Sequence, residues 1–350
     1  RGLFSLQHRG QESAGIVVSN GEKINSIKGR GLVNDVFDRN NLLSLDGHIG
    51  IGHVRYSTTG SSRIQNIQPL VVECVDGIWA VAHNGNLVNA AELRAKYQNR
   101  GAIFQTSTDS ESLVHLLADP DYRMRPERVE RALSAINGSF CFLLMNKTGI
   151  FAARDPNGFR PLSIGKLGKA WIFSSETCAI TQVGGEFIRD VEPGELVKVN
   201  DDGVSSSFFS ESDNSGLSQC IFEMVYFARP DSVVFGKNVH ETRVQYGMRL
   251  AKEHPVKADI VIPVPDSGNS AALGFARQSG IPLDFGFIRN HYIGRTFIMP
   301  THGERNESID LKLSILKEVV DGKRIVVVDD SIVRGNTVKN RIARLRSAGA

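Results

Sequence analysis

The stretch RIVVVDDSIVRGNT, residues 324–337, decides the fold of the second half of the chain. Its apolar run Arg324–Val328 predicts a buried strand of a parallel sheet, and Asp329 and Asp330 follow directly where that strand ends. Ligands of open α/β folds bind at this edge, and paired carboxylates there suit sugar hydroxyls or a divalent metal ion. The loop Ser331–Thr337 adds backbone N–H groups, hydroxyls and a helix N-terminus, which together suit a phosphate. The alternative is a buried strand with an ordinary Asp N-cap, although a cap needs one carboxylate and no such loop.

Strand–helix alternation continues on the N-terminal side of this stretch. Continuous apolar strands that alternate with helices predict a parallel sheet covered on both faces. The strand Asp259–Val264 leads into Pro265-Asp266-Ser267-Gly268, which is either a second anion-binding turn or an ordinary helix start. The predicted helices of this half are Lys237–Glu253, Ser267–Ser279 and Lys339–Ala350.

Residues 1 to about 205 show a different pattern of short strands and turn residues. Two helices are predicted there, Ala90–Tyr97 after an Asn89 cap and Asp109–Leu117. Asn-Gly pairs such as Asn84-Gly85 are typical of turns between strands. Paired strands with few helices predict stacked antiparallel sheets with helical outer layers. The predicted strands are Ile49–Val54, Ile78–Ala82, Phe140–Met145, Ile150–Ala153 and Trp171–Ser174.

Length and charge limit the class of protein. The chain has 350 residues, with 41 Lys and Arg against 38 Asp and Glu, so the net charge is +3. This balance gives no field to attract nucleic acid or an anionic membrane, and no apolar run is long enough to span a bilayer. A chain of this length is expected to form two domains, here 1–205 and 219–350 with a Ser-rich linker at 206–218.

Five short motifs in the first half carry groups that suit an amino acid with a side-chain amide. Together the motifs offer an arginine for a carboxylate and an aspartate for an ammonium group, and Asn84 with the Gly85 N–H suits an oxyanion. Each feature alone has a plain structural alternative, because Asn-Gly is commonly a hairpin turn and Arg–Asp pairs are commonly structural. The five motifs are Leu6–Gly15, His53–Thr58, His83–Leu87, Ser107–Glu111 and Arg154–Gly158.

At residues 324–337 the chain resembles the phosphoribosyltransferase family, whose signature joins an apolar strand, two aspartates, a loop, a glycine and a threonine. The resemblance implies that Asp329 and Asp330 face Mg²⁺ and the ribose of phosphoribosyl pyrophosphate (PRPP), with Ser267 also at the metal. Asn336 departs from the family's usual threonine. The polar segment Arg289–Lys312 is either a loop that closes over pyrophosphate or a plain surface loop. The PRPP-binding residues that the resemblance implies are Asp329, Asp330, Ser331, Arg334, Gly335, Thr337, Arg295 and Lys312.

With the motifs of the first half included, the whole chain resembles the glutamine PRPP amidotransferase family. The resemblance implies an α+β glutaminase of the N-terminal-nucleophile type, with αββα layers, followed by an α/β type I phosphoribosyltransferase domain with a parallel sheet. Arg55 and Asp109 would then bind the two charged ends of glutamine, and Asn84 with Gly85 would form the oxyanion hole. The implied reaction converts glutamine, PRPP and water to 5-phosphoribosylamine, glutamate and pyrophosphate, with ammonia passed between domains.

The cysteines of this chain do not match the complete family pattern. The family's nucleophile is a cysteine at the mature N-terminus, which Arg1 is not, and a parallel sheet would normally continue after the last predicted helix. A fragment that lacks both termini is therefore expected. Cys74, Cys141 and Cys178 lie in or beside apolar runs and are expected to be structural. The resemblance to one branch of the family implies that Cys220 is one of four ligands of a [4Fe-4S] cluster, with a structural cysteine as the alternative.

Two other functions fit parts of the sequence. Another glutamine amidotransferase, such as one that makes an amino sugar, would share the first half but gives no reason for residues 329–337. A PRPP- or nucleotide-sensing protein with an inactive glutaminase half would share both halves. The resemblance further implies inhibition by purine nucleotides, a homo-oligomer without nucleic-acid or membrane partners, and a cytoplasmic or plastid location.

Overall fold

The computed structural model describes residues 1–56, 63–210, 216–290, 313–332 and 335–350. Contacts divide the chain into two units, Arg1–Cys220 and Ile221–Ala350. The last strand of the first unit, Gly203–Phe208, reaches into the segment 206–218 that was expected to be a linker. No helix among the described residues is both long and apolar enough to cross a membrane.

The first unit contains twelve described strands in three antiparallel sheets, of orders β2-β1-β3, β10-β8-β9 and β12-β11-β7-β6-β5-β4. The strands are β1 Ser13–Ser19, β2 Ile24–Arg30, β3 Ile49–Arg55, β4 Leu70–Cys74, β5 Gly77–Leu87, β6 Gly138–Met145, β7 Gly149–Arg154, β8 Ser163–Leu167, β9 Ala170–Ser174, β10 Glu186–Asp190, β11 Glu195–Asn200 and β12 Gly203–Phe208. The helices are α1 Gly2–Ser5, α2 Val33–Val36, α3 Arg39–Leu43, α4 Ala90–Asn99, α5 Glu111–Ala118, α6 Pro120–Arg123, α7 Arg128–Ser134 and α8 Thr177–Gln182.

Apolar residues on both faces of the six-stranded sheet set the layers of this unit. On one face Phe140 and Phe142 of β6 pack in one core with the buried side chains of α4, α5 and α7. On the other face Ala80 and Ala82 of β5 pack with Val17 and Ile51, which belong to the sheet of β1 and β3. Helices α1 and α2 cover the outer side of that second sheet. The order helix, sheet, sheet, helix confirms the αββα architecture that the family resemblance implied.

The second unit contains a parallel strand pair, as expected for the α/β half. Strands β15 and β18 run parallel with Ile260 opposite Ile325 and Pro263 opposite Val328. The strands are β13 Val233–Val234, β14 Lys237–Asn238, β15 Ile260–Pro263, β16 Phe287–Arg289, β17 Leu313–Ile315 and β18 Ile325–Val328. The helices are α9 Val239–Glu253, α10 Asn269–Ser279, α11 Lys317–Val320 and α12 Asn336–Ser347, with a π-helix at Glu223–Phe227.

Several predicted boundaries are wrong. In each case the residues belong to a strand or use their side chains in another hydrogen bond. Asn84-Gly85 is not a turn, since it lies inside the long strand β5. Asn89 precedes α4 without capping it, because its amide bonds instead to the Ala135 carbonyl and the Asn137 N–H. Helix α9 begins after Lys237–Asn238, which form a short strand, and α12 begins at Asn336, directly after Gly335.

Candidate functional site

The middle of β5 presents an open backbone edge at the glutamine motifs. In the β5–β6 ladder Gly85 lies opposite Phe140. Both backbone groups of Phe140 bond to Asp155, the carbonyl to the Asp155 N–H at 2.8 Å and the N–H to the Asp155 carboxylate at 3.2 Å. Because the direction of hydrogen bonding alternates along an antiparallel strand, Gly85 turns its own N–H and carbonyl away from β6.

Neighbouring N–H groups on that open edge are capped by side chains. The His83 N–H donates to Gln68 Oε1 at 2.7 Å, and the Leu87 N–H donates to Asp109 Oδ2 at 2.8 Å. Strand β4 ends its pairing with β5 at Val81 and does not reach this region. Between the two caps, the Gly85 N–H has no partner among the described residues. It is therefore available to a ligand.

A glycine is required at position 85 by close packing. A Cβ built there would lie 2.0 Å from the carbonyl oxygen of Ser139. The adjacent Asn84 is half-buried, and the described part of the chain offers its side chain no hydrogen-bond partner. Asn84 and Gly85 thus bring together two donors that are not used by the fold, as the oxyanion assignment requires.

Arg55 is held at the end of β3 by the first motif. Its side chain is buried, and Nη1 lies 3.4 Å from Glu12 Oε1. A Cβ on Gly10 would lie 2.5 Å from the backbone carbon of Arg55, so the motif Leu6–Gly15 can pass here only with a glycine. The guanidinium accordingly has a fixed position next to a protein carboxylate.

Asp109 lies just before α5 and faces the β5 edge. Burial alone would raise the pKa of Asp109, but the nearby His83, whose Nδ1 lies 3.7 Å from Asp109 Oδ1, and the hydrogen bond from the Leu87 N–H hold the pKa below its usual value. The carboxylate is thus ionised at neutral pH and suits an ammonium group.

His53 ties the second sheet to the same edge. Its Nε2 lies 3.1 Å from the His83 carbonyl, which joins β3, the strand of Arg55, to β5, the strand of Asn84. Burial lowers the pKa of His53 to about 4, so the imidazole is neutral at pH 7 and Nε2–H donates to that carbonyl.

In the second unit the two predicted phosphate motifs meet at one edge. The Val264 N–H donates to the Val328 carbonyl at 2.8 Å, which extends the parallel pairing to the last residue before Asp329. A Cβ on Gly268 would lie 2.5 Å from that same carbonyl oxygen. The turn that carries Ser267 therefore lies against the strand end that carries Asp329 and Asp330.

The two aspartates have different partners. Asp330 Oδ1 accepts a hydrogen bond of 2.5 Å from Ser331 Oγ, whereas Asp329 Oδ2 is 2.5 Å from Nη1 of Arg341 on α12. Burial raises the pKa of Asp329 despite the charge of Arg341. Gly335 has a left-handed φ of 74° and directly precedes α12, and Thr337 is exposed in the first turn of that helix. Arg295, Lys312 and Arg334 lie outside the described residues.

The cysteines do not form a metal site in the described part of the chain. Cys141 and Cys178 are buried, and no group of three or more His, Cys, Asp or Glu residues there could hold a metal ion. Cys220 is partly exposed, and its N–H donates to the Phe159 carbonyl at 3.1 Å. Cys141 lies opposite Asn84 on β6, but its Sγ faces the carbonyls of Arg160 and Pro161 at 3.6 Å.

Other residues near these sites were missed by the motif analysis or given no role. Arg154 donates to the carbonyls of Val191, Gly158 and Arg160, and buried Asp155 accepts backbone N–H groups, so the fifth motif organises backbone. Gln68 and Arg341 were not singled out. A polar residue directly before a proline and an arginine twelve residues after an aspartate are weak signals, because each acquires its partner only through the fold.

Comparison with known proteins finds relatives that match both halves of the chain. A family model described as a glutamine amidotransferase domain matches residues 53–182. The amidophosphoribosyltransferase of Bacillus subtilis (strain 168) is 48% identical over 350 residues, which cover 100% of this chain and 73% of that protein. The amidophosphoribosyltransferase of Methanocaldococcus jannaschii is 46% identical over 364 residues, which cover 100% of this chain and 77% of that protein.

Solved structures agree over the same length. One described as the allosteric regulatory enzyme of purine biosynthesis has a TM-score of 0.92 and 48% identity, and 100% of this chain matches 75% of it. The B. subtilis glutamine PRPP amidotransferase, solved in complex with ADP and GMP, has a TM-score of 0.91 and 47% identity. The match covers 100% of this chain and 76% of that structure.

Proposed function

The chain belongs to the amidophosphoribosyltransferase family, and from this premise we propose how its own residues carry out the reaction. The enzyme transfers the amide nitrogen of glutamine to PRPP, which gives 5-phosphoribosylamine, glutamate and pyrophosphate in the first step of purine biosynthesis. We assign glutamine hydrolysis to the first unit and PRPP chemistry to the second.

The observation that carries the first assignment is the open N–H of Gly85. Attack on the side-chain amide of glutamine places negative charge on its oxygen, and a donor that the fold does not use stabilises this charge without reorganisation. The unpaired amide of Asn84 supplies the second donor. Asp109 receives the α-ammonium group and Arg55 the α-carboxylate, so the substrate is fixed at both charged ends.

The attacking thiolate is assigned outside the described cysteines. Cys141 and Cys178 are buried, and Cys74 lies at the end of β4, so none suits attack at the β5 edge. We therefore assign the nucleophile of glutamine hydrolysis to none of these three cysteines.

In the second unit Asp329 and Asp330 are assigned to the ribose of PRPP, with Ser331, Gly335 and Thr337 at its 5-phosphate. Hard oxygen donors at one strand end fit Mg²⁺, so Asp329, Asp330 and Ser267 are the residues that would hold it. When bound, Mg²⁺ supplies positive charge to the leaving pyrophosphate. The assignments of Arg295, Lys312 and Arg334 to PRPP rest on the resemblance alone.

The remaining parts of the proposal concern transfer and regulation. Ammonia passes from the first active site to the second, where it displaces pyrophosphate from C1 of PRPP. Binding of ADP and GMP to the B. subtilis relative supports purine nucleotides as inhibitors of this enzyme. Self-association as a homo-oligomer is proposed from the family resemblance.

Cys220 is proposed as one ligand of an iron–sulfur cluster whose other ligands are not among the described residues. Its test is the iron and acid-labile sulfide content of the full-length enzyme, in which Cys220→Ser should lose both. Cys74→Ser, a change at another partly exposed cysteine, is the control and should keep both.

The proposed function is tested by Arg55→Ala in the full-length enzyme. Loss of the carboxylate contact should raise KM for glutamine by about tenfold or more, since a charged hydrogen bond is worth about 1.5–3 kcal/mol. Synthesis of phosphoribosylamine from added ammonia should be unchanged. The control is Arg131→Ala, which removes an exposed arginine paired to Glu127. Equal loss of the ammonia-dependent reaction would contradict the assignment.

A further inference from the structure

We propose that Gln68, His83 and Ser110 are positioning residues for glutamine turnover. Their buried hydrogen bonds fix the Gly85 N–H and the Asp109 carboxylate relative to each other. This inference rests on the roles proposed above for Gly85 and Asp109. It adds Gln68, which lies outside the five motifs, and gives a role to His83 and Ser110, which lie within two of them.

The bridge is continuous from β5 to α5. Ser110 Oγ lies 2.9 Å from His83 Nδ1, 3.4 Å from Gln68 Nε2 and 3.3 Å from Asp109 Oδ1. Gln68 Oε1 accepts the His83 N–H at 2.7 Å and so closes a ring of hydrogen bonds. Gln68, His83 and Ser110 are 7%, 4% and 0% exposed, so water does not compete for these contacts.

The donors and acceptors of this ring are compatible with one another. Gln68 Nε2 can only donate, and an ionised Asp109 can only accept. Ser110 gives its hydroxyl proton to Asp109 and accepts from Gln68. Its second lone pair accepts a hydrogen bond from His83 Nδ1. His83 Nε2 has no hydrogen-bond partner among the described residues.

His83 also fixes the backbone of Gly85. Its ring stacks on Phe142 with centroids 4.2 Å apart, and Nε2 lies 2.8 Å from the position that a Cβ on Gly85 would occupy. The imidazole thus fills one face of Gly85 and leaves its N–H edge open.

Both ends of the segment His83–Leu87 are connected to Asp109 by hydrogen bonds. One carboxylate oxygen accepts the Leu87 N–H, and the other accepts from Ser110, which holds His83. Gly85 lies midway between these two attachments. Movement of the segment would shift the oxyanion donor and the ammonium site together, and small misplacements of this kind can cost about 10²-fold in rate.

The experiment compares Gln68→Met and Ser110→Ala with the control Ser112→Ala in the full-length enzyme. Ser112 lies in α5 and is buried, as Ser110 is just before that helix, but the Ser112 hydroxyl has no partner in the described structure. The readouts are kcat and KM for glutamine hydrolysis, the ammonia-dependent rate, and affinities for glutamate and for the γ-aldehyde analogue of glutamine. The aldehyde forms an oxyanion with the nucleophile, whereas glutamate binds only through its ground-state contacts.

Gln68→Met should lower kcat for glutamine by about 10–100-fold with little change in KM, and should weaken aldehyde binding by a similar factor. Glutamate affinity, the ammonia-dependent rate and the thermal melting curve should stay close to those of Ser112→Ala. Ser110→Ala should lower kcat similarly and also raise KM, because it touches Asp109 directly.

Two results would overturn the inference. In one, Gln68→Met and Ser110→Ala behave like Ser112→Ala while Gly85→Ala abolishes glutamine hydrolysis, which removes the bridge but keeps the proposed function. In the other, glutamate and aldehyde affinities fall equally, which indicates general loosening of the unit. Retention of glutamine hydrolysis by Gly85→Ala and Asn84→Ala would instead reject the proposed function itself.

Discussion

At the scale of single residues, the chemistry of the site depends on one glycine. A side chain at Gly85 would meet the Ser139 carbonyl oxygen at 2.0 Å, so Gly85→Ala must displace β5 from β6 or rotate the peptide that carries the open N–H. Glutamine hydrolysis should fall by about 10²–10³-fold, the usual cost of losing one oxyanion donor. The ammonia-dependent reaction should persist, and steady-state rates with glutamine and with ammonia measure both.

The matched control for that change is Gly77→Ala at the other end of β5. Gly77 also has a positive φ, of 115°, but an added Cβ there meets nothing within 4 Å. It introduces backbone strain into the same strand without touching the site. If Gly77→Ala lost glutamine hydrolysis as severely, the effect of Gly85→Ala would be one of strand stability and not of the oxyanion donor.

Sequence suggested candidates for the charged contacts of the site but not the residues that support them. Arg55 and Asp109 were assigned through the family resemblance, since an amino acid substrate requires one cation and one anion and the motifs contain several of each. Gln68 could not, since its partner His83 lies fifteen positions away and the contact exists only where β4 stops short of the end of β5. Asn84-Gly85 was misread as a turn because local turn preference carries no information about a strand edge.

At the scale of elements, the packing of β3 against β5 gives the first unit a specific pH dependence. His53 is partly buried and has a pKa of about 4, whereas an unfolded histidine has about 6.5. Between these values the unfolded chain binds the extra proton, so the free energy of unfolding should fall as pH falls. The slope is at most about 1.4 kcal/mol per pH unit and sums to about 3 kcal/mol.

His53→Gln should remove that part of the slope between pH 6.5 and pH 4. The exposed His48→Gln is the matched control and should keep it. Urea unfolding followed by tryptophan fluorescence reports on this unit, because both tryptophans, Trp79 and Trp171, lie in it. An unchanged slope in His53→Gln would show that His53 is not the group that titrates.

Helix α12 places a cation on a carboxylate that we assign to Mg²⁺. Since Arg341 occupies Asp329 Oδ2, it competes with the metal, and Arg341→Met should lower the Mg²⁺ concentration needed for half-maximal PRPP binding by roughly fivefold, or about 1 kcal/mol. Calorimetric titration of PRPP at several Mg²⁺ concentrations measures this. Arg346→Met, an exposed change on the same helix, should have no effect. A higher Mg²⁺ requirement in Arg341→Met would instead show that Arg341 orients Asp329 for the metal.

Element types followed from hydrophobic pattern, whereas element ends depended on tertiary partners. The apolar runs of β6, β7, β15 and β18 predict strands because their side chains must be buried. Helix α5 starts two residues later than predicted, since Asp109 and Ser110 use their side chains on β5 and His83. Such contacts are invisible to any window of local sequence.

At the scale of the whole molecule, the two units have separate cores, and each carries its own set of candidate substrate contacts. The change in sequence pattern near residue 205 indicates two domains, because strand pairs with turns and strand–helix alternation require different layer arrangements. The exact boundary was less accessible, since β12 is Ser-rich and polar on its exposed side and looks like a linker in sequence.

This separation predicts that the two chemistries can be broken one at a time. Asp329→Asn keeps the shape of the side chain but removes the negative charge that we assign to Mg²⁺ and ribose, so synthesis of phosphoribosylamine from either glutamine or ammonia should fall by about 10²-fold or more. Glutamine hydrolysis should keep most of its rate, because the residues that we assign to glutamine all belong to the first unit. Glutamate release and pyrophosphate release, measured in the same reaction, give the two rates. Equal loss of both would mean that hydrolysis depends on an occupied PRPP site, and glutaminase activity would then have to be assigned to the coupled enzyme and not to the first unit alone.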